Sequence, residues 1–135
     1  MKIEPKIGLI SCSGEGLSEG MISRVATRRI LEQRDDVMTI CLPLFLAGGQ
    51  EERDFAKDNP CITIDGCEKM CAAKGVKMYG KVQPKSSIVI SEINKKQACP
   101  KPKSKSKVES EDEKLVEATM KVINKEIENV KEKKE

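Results

Sequence analysis

Three short apolar stretches, Ile7 to Ile10, Val37 to Cys41 and Cys61 to Ile64, are each closed by small, polar or turn-forming residues. Buried strands feeding loops give this pattern. The first strand spans residues 6 to 11 and runs into Ser11-Cys12-Ser13-Gly14-Glu15-Gly16. Ser18 then offers an N-cap, and Met21, Ile22, Val25 and Ile30 follow at helical spacing with charge on the other face, predicting a helix. After the second strand, Pro43 predicts an apolar loop over Leu42 to Leu46, and Gly48-Gly49 breaks the chain before a short charged helix over Gln50 to Lys57. The third strand ends in a turn at Asp65-Gly66. Glu68 to Lys74 predicts a helical turn or two closed by Gly75, and Ser87 to Ser91 a fourth strand. The alternation β-α-β-α-β-α-β predicts an α/β protein: a three-layer Rossmann-like fold with a short parallel sheet of about four strands and helices on both faces.

The pattern changes after Gln97. Cys99-Pro100-Lys101-Pro102-Lys103-Ser104-Lys105-Ser106-Lys107 is a basic stretch with little to pack. Ser110 with Glu113 then forms a capping-box signature, and Val116, Met120, Ile123, Ile127 and Val130 recur at spacings of four, three, four and three. The expected organisation is an α/β domain over residues 1–97, a Lys-rich flexible linker over 98–109 and a C-terminal amphipathic helix over 110–135. The stripe on that helix can pack on the domain, or serve self-association or a protein partner.

Composition narrows the function classes. The 135 residues include no histidine, which removes Ser-His-Asp and Cys-His catalysis and every His-containing metal site. Net charge is only +3 and aromatics are 2%, so a nucleic-acid surface built on basic patches and base stacking is not expected. The Ile7 to Ile10 run is too brief for a signal sequence or a membrane span, so a soluble cytoplasmic protein without a membrane partner is expected. In that compartment six cysteines point to metal binding or thiol chemistry rather than disulfides.

The positions of four of them carry the argument. Cys12 follows the first strand, Cys41 ends the second and Cys67 follows the third, so a parallel sheet delivers all three to one edge. Cys71 follows Cys67 by one helical turn and is expected to face the same way. Four thiols brought together suit a tetrahedral zinc site with sulfur ligands at about 2.3 Å. The expected metal ligands are therefore Cys12, Cys41, Cys67 and Cys71. Cys61, inside a strand, is expected to fill the core, and Cys99, beside Pro100, to be an exposed free thiol.

These residues also resemble a known family. Cys12-Ser13-Gly14 after the first strand, Cys41-Leu42 after the second, Ile64-Asp65-Gly66-Cys67 with Cys71-Ala72 after the third, and Ile88-Val89-Ile90 as the fourth are similar to the DGC-domain proteins. That family of small prokaryotic proteins is named for the tripeptide Asp65-Gly66-Cys67. The resemblance spans roughly residues 6 to 93. It implies zinc as the bound ion and these four cysteines as its ligands, without implying a particular reaction. The Lys-rich segment, the C-terminal helix, Cys61 and Cys99 lie outside the shared pattern.

Other chemistries use the same residues. Cys12 to Ser18 invites comparison with the cysteine-phosphatase loop, but Ser18 stands where an Arg is needed and Glu15 adds negative charge, which disfavours phosphate. Gly14 and Gly16 alone make neither a dinucleotide fingerprint nor a P-loop. Asp65 is expected to cap the following helix, or else to orient N–H groups toward sulfur. A four-cysteine set also suits an iron-sulfur cluster, and a pair such as Cys67 and Cys71 suits thiol redox or sulfur transfer. In a further alternative, zinc is structural and the protein is an adaptor.

Overall fold

A computed structural model describes residues 6–12, 17–99, 101–104 and 106–132. The chain folds in the order β1 (Ile7–Ser11), α1 (Ser18–Gln33), β2 (Val37–Thr39), α2 (Leu42–Leu46), α3 (Gln50–Asp58), β3 (Cys61–Asp65), α4 (Cys71–Gly80), β4 (Ser86–Val89) and α5 (Ile90–Gln97). A 3-10 turn (Ser110–Asp112) then leads into α6 (Glu113–Glu132). The four strands form one parallel sheet in the order β2-β1-β3-β4, as the alternating pattern predicts. Register pairs Ile7 with Val37, Leu9 with Ile62 and Ile64 with Ile88.

The central strands are apolar on both faces because helices cover both. Alternate residues of β1 and β3 feed two clusters. Ile7, Leu9, Ile62 and Ile64 pack with α1, α5 and α6. Ile10 and Cys61 pack with Phe45 of α2, Ala56 of α3, and Ala72 and Val76 of α4. These are the three layers.

Several local expectations are corrected. Leu42 to Leu46 is helical, since a Pro in the first helical turn gives up an N–H that has no partner there anyway. β2 ends at Thr39 rather than Cys41. α4 does not begin at Glu68 or stop at Gly75; it starts at Cys71 and runs through Gly75, where a Cβ would lie 2.8 Å from Leu46 Cδ2, so the glycine serves helix packing. The fourth strand ends at Val89, and α5 begins at Ile90 to bury Ile90 and Ile93. The capping box is made by Glu109 and Asp112, with the Glu109 N–H donating to Asp112 Oδ2 at 2.9 Å, rather than by Ser110 and Glu113.

Helix α6 buries Leu115, Val116, Thr119, Ile123, Ile127 and Val130, and its apolar side chains join the cluster on α1 and α5. In the segment before it, Pro102 is buried and Val108 packs against the same cluster. Polar contacts fix the helix. Arg29 grips Glu113 with two hydrogen bonds of 2.6 and 3.0 Å. Asp36 accepts from Arg34 through both oxygens and from Lys131, while Arg34 also reaches Glu128 and Asn124. Ser86 of β4 donates to Glu126. Among the described residues, no helix is long and apolar enough to cross a membrane.

Candidate metal centre

The carboxyl ends of β2, β1 and β3 lie side by side, since these strands are neighbours and parallel. Their extensions carry Cys41, Cys12 and Cys67. Adjacent strands are about 4.8 Å apart, so topology places three sequence-distant thiols along one short stretch of sheet edge.

Cys12 stands one residue beyond β1, where its N–H donates to Ile64 O at 3.0 Å and extends the pairing with β3. Its Sγ lies 3.4 Å from Ser23 Oγ on α1 and accepts from the Gly66 N–H at 3.4 Å. Burial pushes the Cys12 thiol up. The contacts with Ser23 and the Gly66 N–H oppose that shift, and the negative charges of Asp65 and Cys71 add to it. Cys41 is exposed and occupies the N-cap of α2, its carbonyl accepting from Phe45 N at 3.0 Å.

The tripeptide Asp65-Gly66-Cys67 divides three tasks. The Asp65 carboxyl is buried and accepts from Ala72 N at 2.7 Å and Ala73 N at 3.2 Å, so it caps α4 as expected. Burial raises its pKa, against the two N–H donors and Lys74. Gly66 gives its N–H to Cys12 Sγ and its carbonyl to Ser91 N. A Cβ at Gly66 would stand 2.6 Å from Gly20 N and 2.8 Å from Gly20 Cα, so only glycine lets this loop lie against the first turn of α1. Cys67, half-buried, opens a turn whose carbonyl accepts from Met70 N at 3.1 Å.

The route from Cys67 to Cys71 differs from the expected single helical turn. Met70 adopts a left-handed conformation, φ 53° and ψ 50°, and α4 starts only at Cys71. The two thiols therefore flank a reversal of the backbone rather than sharing a helix face. Cys71 is exposed at the first position of α4, next to the Ala72 and Ala73 N–H groups that Asp65 caps.

The remaining thiols lie apart. Cys61 is buried in the second cluster as expected, and burial pushes its pKa up to about 12, with a Gly8 backbone contact acting the other way. Cys99 is half-buried and packs against the first cluster, correcting the expectation of an exposed thiol.

All six cysteines are free thiols, and among the described residues no three Cys, Asp or Glu side chains converge closely enough to share an ion. The fit to zinc therefore rests on the donor set and the shared edge alone, since soft thiolates select that ion. Ser13 to Gly16, which the phosphatase comparison used, lie outside the described residues.

A family model for the DGC domain matches residues 8–122. The chain belongs to the DGC-domain family. The match takes in β1 to α5, the segment after α5 and the first half of α6. No curated protein and no solved structure matches the chain. Within this DGC domain, sequence reasoning missed the Ser23 contact to Cys12 and the approach of Gly66 to Gly20. The small residues Gly20 and Ser23 in the first turns of α1 were the available signal.

Proposed function

We propose that this DGC-domain protein is a zinc-binding protein of the cytoplasm, with Cys12, Cys41, Cys67 and Cys71 as the metal ligands. The observation that carries the reading is the parallel order β2-β1-β3, which puts Cys41, Cys12 and Cys67 just beyond neighbouring strand ends. With no histidine in the chain, four thiolates form the donor set, which closes the coordination shell of zinc and suits a stabilising or carrier site. Zinc would supply positive charge that holds the sulfurs as thiolates. Asp65 and Gly66 would keep their places around it, fixing α4 and donating an N–H to the Cys12 sulfur.

Elemental analysis of protein purified without metal-affinity resin tests the reading. The expected result is about one zinc per chain, lost in Cys41→Ser and in Cys67→Ser. Metal-free protein with accessible cysteines fully reactive overturns it. A brown, iron-containing protein would move the same ligands to an iron-sulfur cluster.

One observation favours a second reading, thiol redox or sulfur transfer: the cysteines are free thiols, and Cys41 and Cys71 are exposed, as an attacking or a resolving thiol must be. Such a protein keeps its activity toward a disulfide substrate after chelation, whereas a zinc protein loses its metal and stability together.

A further inference from the structure

Beside the strand ends, a groove of about 590 Å³ opens between α1 and the β2–α2 connection, with Cys12 and Cys41 at its rim. Its volume falls in the range of small-molecule pockets, roughly 300 to 1,000 Å³. Its walls combine two chemistries. Val25 and Leu31 of α1 and Pro43 of α2 supply apolar surface, while Arg24 and Arg28, four residues apart on α1, supply positive charge. Among the described residues, no Asp or Glu lines the groove.

Two further features point to a ligand. Arg28 is exposed and, among the described residues, has no carboxylate partner. Thr27, also lining the groove, is only 3% exposed, yet its Oγ1 has no hydrogen-bond partner. A buried hydroxyl without a partner costs about 1–3 kcal/mol, a cost that a ligand oxygen in the groove would offset.

We propose that this groove binds a small organic anion, with its charged head on Arg28, an oxygen accepting from the Thr27 hydroxyl, and an apolar body along Val25, Leu31 and Pro43. A planar guanidinium is suited to such a head, because it offers paired N–H donors to carboxylate, sulfonate or phosphate oxygens alike. An apolar wall with a few converging polar groups is the usual make-up of a small-molecule site. The site adjoins the thiols but does not depend on a bound metal.

The test uses the full chain after chelator treatment, with the fluorescent anion 1-anilinonaphthalene-8-sulfonate as probe and neutral N-phenyl-1-naphthylamine as its control. The expected result is saturable binding of one anionic probe per chain, no comparable binding of the neutral one, and affinity about tenfold lower or worse in Arg28→Glu. Thr27→Val is expected to weaken the probe by a smaller factor at unchanged circular dichroism. Equal binding by the parent and Arg28→Glu, or equal binding of the two probes, overturns the proposal. So does the absence of saturable binding in the chelated protein. Because the protein is metal-free throughout, failure of the zinc reading leaves this result intact.

Discussion

Gly66 has backbone on one side and sulfur on the other. Its nearest neighbours are Gly20 N and Gly20 Cα, which cannot swing away as a flexible side-chain end can. Gly66→Ala must push the β3–α4 loop away from α1, stretching the N–H contact to Cys12 Sγ as well. The expected cost is about 1–3 kcal/mol, the range for forced overpacking, read as a lower urea midpoint at unchanged slope. An unchanged midpoint would show that the loop relaxes freely. Cys61 makes a different prediction. Buried, and with its pKa pushed up to about 12, it offers almost no thiolate at neutral pH. A thiol reagent on native, metal-free protein should modify the exposed Cys41 and Cys71 first and leave Cys61 unmodified until denaturant is added. Peptide mapping of the labelled protein checks the order, and early labelling of Cys61 contradicts it.

At the scale of elements, the contact among the end of α1, the start of β2 and the end of α6 is governed by Asp36. Arg34 first, and then Lys131, hold its carboxyl well below the usual carboxylate range. A carboxyl whose folded pKa is depressed contributes stability that is present above its unfolded value, near 3.8, and is lost as pH falls through the folded one. Asp36→Asn is therefore expected to be less stable than the parent at pH 7, with the difference shrinking as pH is lowered below about 4. Thermal melts across that range check the sign, and a gap that widens toward acid refutes it. These elements also show what a sequence carries. β1, α1 and β3 were legible because an apolar run and a spaced apolar face leave little choice of partner. α2 and α5 were not. Pro43 signals a stop and a first helical turn equally well, and Ile88-Val89-Ile90 continues the apolar run of β4 across the point where α5 begins. The shared edge for Cys12, Cys41 and Cys67 followed from strand order. The path from Cys67 to Cys71 turns on a left-handed Met70, a conformation no methionine advertises.

For the whole molecule, α6 bears on whether the α/β layers stand alone. Leu115, Val116, Ile123, Ile127 and Val130 are each at most 5% exposed, and all belong to the cluster that also holds Ile7, Leu9, Ile62 and Ile64. Full burial of such a side chain stabilises by about 1.5–3 kcal/mol, so the five together contribute on the order of 8–15 kcal/mol. That matches the total stability of an ordinary domain, about 5–15 kcal/mol. A chain ending at residue 109 would also leave one face of α1 and α5 open to water, and would lose the Arg29–Glu113 and Asp36–Lys131 pairs. It is expected to melt without a cooperative transition and to exchange the amide protons of β1 and β3 rapidly, because the sheet depends on both helical layers. A sharp melt with protected central strands would instead make residues 1–109 a self-sufficient unit. The proposed metal site and the C-terminal helix could then be assigned separate roles, and α6 would be free to leave for a partner. If the truncated chain does not fold, α6 is the third helix of one layer, and the sheet edge that carries Cys12, Cys41 and Cys67 is lost with it.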